Sequence, residues 1–154
     1  LYKSFRDSNI YGIDLSPYFI AMAKLRSEEY GFLINYYYRN AEYSHFHDKK
    51  FGLVVCNFLF HECPEQATKN ILEEANRILI PGGTIAIVDL SPKVLKKDDF
   101  FLTKFRKWAF EVTEPHIYGY YERDMKDLLK NAGFTNIQEV KNDPMNSVWL
   151  ASRY

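Results

Sequence analysis

Cysteine is scarce: Cys56 and Cys63 are the only two in 154 residues. Two thiols do not make a disulfide framework, and neither stands in a C-x-x-C pair. Cys56 lies inside an apolar run and reads as core, Cys63 follows in a turn-like stretch, and a reducing intracellular compartment such as the cytoplasm fits both. No run reaches the roughly 18 apolar residues that span a bilayer. The opening "LYKSFRDSN" lacks the apolar segment of a secretory signal, and its first residue, Leu1 rather than Met, points to a natural start further upstream. A surplus of charge is missing too, since 20 basic and 20 acidic residues cancel. Without a basic excess or stripe there is no electrostatic footprint for nucleic acid or an anionic membrane, so the expected partner is a small molecule or a protein.

Material for a core is ample: 47% of residues are hydrophobic, and Tyr and Phe number 12 each. A chain of this length corresponds to one domain, 1–154, able to bury roughly 70% of its unfolded surface. No repeat, low-complexity stretch or linker divides it.

Local patterns place the elements. "SFRDSN" reads as the end of a helix turning at Asp7–Asn9, and "IYGIDL" is an apolar run of strand length. Ser16-Pro17 then supplies an N-cap with proline at the first helical position. The helix that follows carries Phe19, Ile20, Met22, Ala23 and Leu25 on one side and stops at Gly31. "FLINYYYRN" is rich in β-formers. After a polar loop, "FGLVVCNF" is a near-continuous apolar run, the mark of a strand buried on both faces. "CPEQATKNILEEANRIL" is a helix whose Ile71, Leu72, Ala75, Ile78 and Leu79 share a face and which "PGG" ends; "TIAIVDL" is another buried strand. "DDFFLTKFRKWAFEV" predicts a helix with an aromatic stripe, "YERDMKDLLKNAGF" a helix stopped at Gly133, and "TNIQEVKND" with "SVWLASRY" two strands joined at Asp143-Pro144. This alternation predicts an α/β fold with a mostly parallel sheet and an antiparallel C-terminal hairpin.

Four segments in order resemble class I S-adenosylmethionine-dependent methyltransferases of Rossmann-like fold, closest to the type 11 small-molecule enzymes. They are "YGIDLSPYFIAMAK", "NAEY", "FGLVVCNFLFHECP" and "ILEEANRILIPGGTIAIVDLSP", and the tail "DLLKNAGFTNIQEV…SVWLASRY" fits as the last helix and closing hairpin. Nearly the whole chain is covered, and the register of "EANRILIPGG" is the most specific part. The resemblance implies strand order 3-2-1-4-5-7-6, S-adenosylmethionine as cofactor and methyl transfer to a small-molecule acceptor. Two features depart from it. The first strand and its G-x-G-x-G loop are missing, so Leu1–Ser8 would be the tail of the helix after that loop, and two central strand edges would stay unpaired. Gly52 also stands where the family usually has an aspartate.

Site residues follow position by position. A carboxylate at a strand's C-terminal end, Asp14 with Leu15 beside it, can accept two hydrogen bonds from vicinal ribose hydroxyls; the bland alternative is a solvated helix-capping acid, a task Ser16 already performs. Asn40 and Ala41 correspond to the pair beside the adenine, or to an ordinary loop. Asn57 and Phe58 end a strand where ligands of open α/β sheets collect, and aromatic faces suit a sulfonium charge. His61, just after them, is the candidate catalytic base, useful when the acceptor is a hydroxyl or an acidic carbon; capping the next helix or filling a wall are its alternatives. No metal site is expected: "HECPE" lacks the second histidine of H-E-x-x-H, and His45 with His47 make an isolated H-x-H. Glu74 and Arg77 read as a local ion pair, and "EPHIYGYYE", with Tyr118, Tyr120 and Tyr121, as a lid that would bind an aromatic or apolar acceptor, or as ordinary surface packing. Two other classes compete. A non-catalytic, degenerate methyltransferase-fold binding module fits the missing first motif. A nicotinamide oxidoreductase fits Asp14, but no Tyr here has a Lys four residues later.

Overall fold

In the computed structural model, residues 3–5, 7–91, 113, 115–140 and 145–154 are described. They fall into two compact units, Leu1–His45 and Phe46–Tyr154. The predicted helix over residues 98–112 and the Asp143-Pro144 junction lie outside the described residues.

The first unit is a βαβ segment. Strand β1 (Ile10–Asp14) pairs in parallel with β2 (Ile34–Tyr38), from Ile10 opposite Ile34 to Asp14 opposite Tyr38. Between them runs α1 (Pro17–Glu29), entered as predicted: Ser16 Oγ accepts from the Phe19 N–H at 3.3 Å, and Pro17 occupies the first turn. Tyr30 closes the helix, and Gly31 at φ +67° carries the chain out of it in the left-handed region. The expected one-sided apolar face is not what forms. Ile20 and Ser27 are buried with Ala23 half-buried between them, while Phe19, Met22 and Leu25 are exposed. At 100° per residue, positions 20, 23 and 27 make one stripe and 19, 22 and 25 another, and the sheet takes only the first. Ser27 bonds the Tyr36 hydroxyl across this interface at 3.0 Å. Upstream, the described residues of 3–8 form turns instead of a helix tail, one closed by Ser8 N–H on the Phe5 carbonyl.

The second unit holds a four-stranded sheet in the order β3-β4-β6-β5. Strands β3 (Phe51–Asn57) and β4 (Leu79–Leu90) are parallel; β6 (Asn146–Arg153) runs antiparallel to β4 and to β5 (Phe134–Val140). Both this order and the β1–β2 pairing are the ones the resemblance implies. After β3 comes a 3₁₀ turn (Phe60–Glu62), then α2 (Glu65–Ile78), whose Ile71, Leu72, Ala75 and Ile78 are all buried as the periodicity requires. "PGG" does not end this helix: α2 stops at Ile78, and Leu79–Gly83 already belong to the extended β4 segment. There β3 and β4 slip register between Phe51 and Leu53. Gly83 is required at that slip, because a Cβ would lie 2.9 Å from the Ile80 carbonyl oxygen and 3.3 Å from that of Gly52. Strand β3 is not buried on both faces either. Only Cys56 is buried and Phe51, Leu53, Val54 and Val55 are half-buried, since among the described residues β3 pairs with β4 alone.

Two short helices complete the unit, α3 (Ile117–Glu122) and α4 (Met125–Asn131). Asp124 caps α4 by accepting from Asp127 N–H at 3.1 Å, and Gly133 at φ +86° follows its end. The stretch read as a covering loop therefore holds a helix of its own, anchored by buried Ile117 and Tyr120.

Candidate functional site

In the first unit, β1 delivers Asp14 to the C-terminal end of the parallel pair. Its Oδ1 accepts from Ser16 N–H at 2.7 Å, and the residue is exposed. That bond orients the carboxylate through the turn into α1, and among the described residues Oδ2 has no hydrogen-bond donor, so both oxygens retain acceptor capacity. Leu15, 59% exposed, stands beside it without packing into a core. The chain returns to the same sheet end after β2. Arg39 N–H donates to the Asp14 carbonyl at 3.1 Å, which puts Asn40 and Ala41 directly beyond the strand end that pairs with Asp14. Asn40 Oδ1 accepts from Glu42 N–H at 2.8 Å, a side-chain turn that fixes this loop. Asp14 and Asn40 thus stand at the same end of the β1–β2 pair.

In the second unit, β3 ends at Asn57 and the backbone reverses at Phe58, a non-glycine residue at φ +50°. A phenylalanine in this region is a backbone outlier of the kind that collects at functional sites. Phe58 N–H bonds the Val88 carbonyl at 2.8 Å, holding the reversal against β4, while its ring is 41% exposed. The 3₁₀ turn follows. Phe60 is fully buried beneath it, and His61 is buried with 7% exposure.

The histidine is not a solvated cap. Its Nδ1 lies 2.6 Å from Oδ1 of Asp89, a fully buried residue near the end of β4. Asp89 also accepts Phe60 N–H on Oδ2 and Leu90 N–H on Oδ1, each at 2.8 Å. Rings of Phe58 and Tyr120 approach His61 edge-on, with centroids 6.4 and 6.5 Å away. Asp89 is a site residue that the sequence reading passed over. The signal available was an acid inside the buried run "TIAIVDL", where a charge persists only with partners.

Arg123, between α3 and α4, secures the turn from the other side. It donates to the Phe60 and Cys63 carbonyls at 3.3 and 2.7 Å and to Thr68 Oγ1 at 2.9 Å. Burial lowers its basicity, an effect its neighbours Glu65, Cys63 and Tyr120 counter. Beside Tyr120 opens a cavity of about 350 Å³, lined among others by Tyr121, Met125, Glu139, Ser147 and Trp149. The hydroxyl of Tyr121 is buried and has no hydrogen-bond partner among the described residues. Burial, with the Asp89 charge second, raises the hydroxyl pKa of both tyrosines, that of Tyr121 to about 12, so both are neutral donors at pH 7.

The predicted site residues thus form two groups: Asp14, Leu15, Asn40 and Ala41 in the first unit, and Asn57, Phe58 and His61 in the second. The expected ion pair of Glu74 and Arg77 is present, with two contacts of 2.7 and 2.8 Å.

The chain was compared with known proteins. A family model described as "Methyltransferase domain" matches residues 1–87, more than half of the 154. An uncharacterized methyltransferase of Synechocystis sp. is 25% identical over 148 residues, which cover 90% of this chain and 62% of the relative. The chain therefore spans less than two thirds of that relative's length. Among solved structures, an S-adenosylmethionine-dependent methyltransferase of Methanosarcina mazei aligns with TM-score 0.66 at 18% identity, over 94% of this chain and 82% of that one. Phosphoethanolamine N-methyltransferase 2 of Haemonchus contortus, solved with S-adenosyl-L-methionine, aligns with TM-score 0.68 at 15% identity, over 94% of this chain and 43% of that one. Likeness at these identities is a likeness of fold. With the family match over residues 1–87, it leads to one conclusion: the chain belongs to the methyltransferase-domain family and has its Rossmann-like α/β fold.

Proposed function

We propose that residues 1–154 belong to one S-adenosylmethionine-dependent methyltransferase domain that acts on a small-molecule acceptor inside the cell. The observation that carries the reading is Asp14, an exposed carboxylate steered by Ser16 N–H at the C-terminal end of a parallel strand. In this reading Asp14 receives the ribose hydroxyls, Leu15 covers the sugar, and Asn40 with Ala41 borders the adenine. Asn57 and Phe58 line the methionine part, where the exposed Phe58 ring suits a positive charge. The cofactor supplies an electrophilic methyl group when bound; the protein aligns the acceptor with it and, for a hydroxyl acceptor, provides His61 as base. The cavity beside Tyr120 has the volume of a small-ligand pocket; Tyr120, Tyr121 and Trp149 offer faces to an aromatic acceptor, and Glu122, Arg123, Asp124 and Glu139 line it as well.

Calorimetric titration with S-adenosylhomocysteine tests the reading, on this chain and on one extended upstream of Leu1. Asp14→Asn is expected to weaken binding about ten- to hundredfold, the effect of losing about 1.5–3 kcal/mol of charge-assisted hydrogen bonding. No heat with either wild-type chain overturns the assignment. Binding without release of S-adenosylhomocysteine from S-adenosylmethionine across an acceptor panel favours the non-catalytic module.

A further inference from the structure

Both oxygens of Asp89 already accept backbone N–H groups, Oδ1 from Leu90 and Oδ2 from Phe60. An ionised carboxylate can only accept, so toward ionised Asp89 the third polar neighbour must be a donor. That neighbour is Nδ1 of His61, at 2.6 Å, within the range of a charge-assisted bond. A neutral imidazole that carries its proton on Nδ1 has its lone pair on Nε2. The closest carboxylate to Nε2 is Glu62 Oε1 at 3.8 Å, beyond hydrogen-bond distance, so that lone pair is uncommitted among the described residues. Phe58 and Tyr120 stand edge-on to the ring, which is itself buried.

We infer that Asp89 is a positioning residue, holding His61 in the Nδ1–H tautomer so that Nε2 is the proton acceptor of the site. The inference rests on the methyl-transfer reading only for the reaction it serves. With a hydroxyl acceptor, the oxygen lone pair forms the new bond to the methyl carbon and the S–C bonding pair returns to sulfur. The hydroxyl proton passes to Nε2, giving an imidazolium whose Nδ1–H still faces the Asp89 carboxylate. The same bond ties the 3₁₀ turn to β4 and fixes the tautomer, leaving Nε2 as the basic nitrogen.

The test is a two-bond ¹H–¹⁵N correlation spectrum of the chain with ¹⁵N-labelled histidine, recorded with the imidazole in its neutral form and assigned with His61→Gln. Wild type is expected to show Nδ1 protonated and Nε2 bare. Asp89→Asn keeps an oxygen for a backbone donor but turns an amide N–H toward Nδ1. It is expected to move the proton to Nε2 while the circular dichroism stays that of wild type. A wild-type His61 protonated on Nε2, or a folded Asp89→Asn variant with an unchanged tautomer, overturns the inference. If that variant does not fold, the wild-type spectrum decides alone. Titration with S-adenosylhomocysteine runs alongside: failure of wild type to bind removes the methyltransferase reading and leaves the tautomer result standing.

Discussion

Cys56 shows what burial does to a single ionisable group. It is 6% exposed in β3, and desolvation, helped by the charge of Asp89, pushes its thiol pKa from 9.0 up to about 12. The sign of the consequence follows. Above about 9 the unfolded chain releases this proton and the folded chain keeps it, so the stability associated with the neutral thiol is intact below about 9 and lost as pH rises toward 12. Tyr120 and Tyr121, also raised by burial, act in the same direction slightly higher on the scale. Urea unfolding between pH 8 and 11 is expected to show stability falling by about 1.4 kcal/mol per pH unit for Cys56 once its unfolded value is passed. Cys56→Ala is expected to flatten the first part of that slope. A flat profile in wild type would mean the thiol ionises in place and is not desolvated.

Two arginines show how elements are held to one another, and they differ in how legible they were. Arg77 and Glu74 are three apart on α2, so helical geometry alone predicts their contact, and it forms. Arg77 extends further, to the Asp48 carboxylate and, at 2.7 Å, to the Phe46 carbonyl, and no local pattern announces those partners. Arg123 reaches Phe60, Cys63 and Thr68 across 55 to 63 residues of sequence, and only the packing of α3 and α4 against the 3₁₀ turn brings them together. The same holds for His61 and Asp89. The sequence places each at a strand end, but the distance between those ends depends on β3 and β4 being neighbours. Arg123→Met removes three donors at once and leaves two carbonyls and a hydroxyl to find water. It is expected to cost about 2–3 kcal/mol in urea unfolding. An unchanged midpoint would show that water replaces the guanidinium without penalty.

Across the whole chain, strand order was readable because each strand and helix carries its own period, and the family resemblance supplied the order in which such units stack. What periodicity could not supply is how burial is shared out. Apolar stripes on α1 look equivalent in sequence, yet Ile20 alone of its large apolar residues is buried, and among the described residues the other buried hydrophobic side chains belong to the second unit. Hydrogen bonding is divided in the same way. Within their own sheets β1 and β2 each pair along one edge, whereas β4 lies between β3 and β6, and β6 between β4 and β5. Local opening costs least where few apolar contacts are broken and one ladder is lost, and most where a strand is bonded on both sides over buried Ile85, Ile87 and Ala151. Native-state hydrogen exchange is therefore expected to find the slowest amides in β4 and β6. Those of β1 and β2 should exchange about a hundredfold faster, equivalent to ~3 kcal/mol less protection. S-adenosylhomocysteine at saturation should slow β1 and β2 more than β4, because Asp14 and Asn40 are its proposed contacts there. Equal protection of all four strands without ligand would mean that the thin core around Ile20 opens only with the rest of the chain, and that burial within each unit does not set its stability.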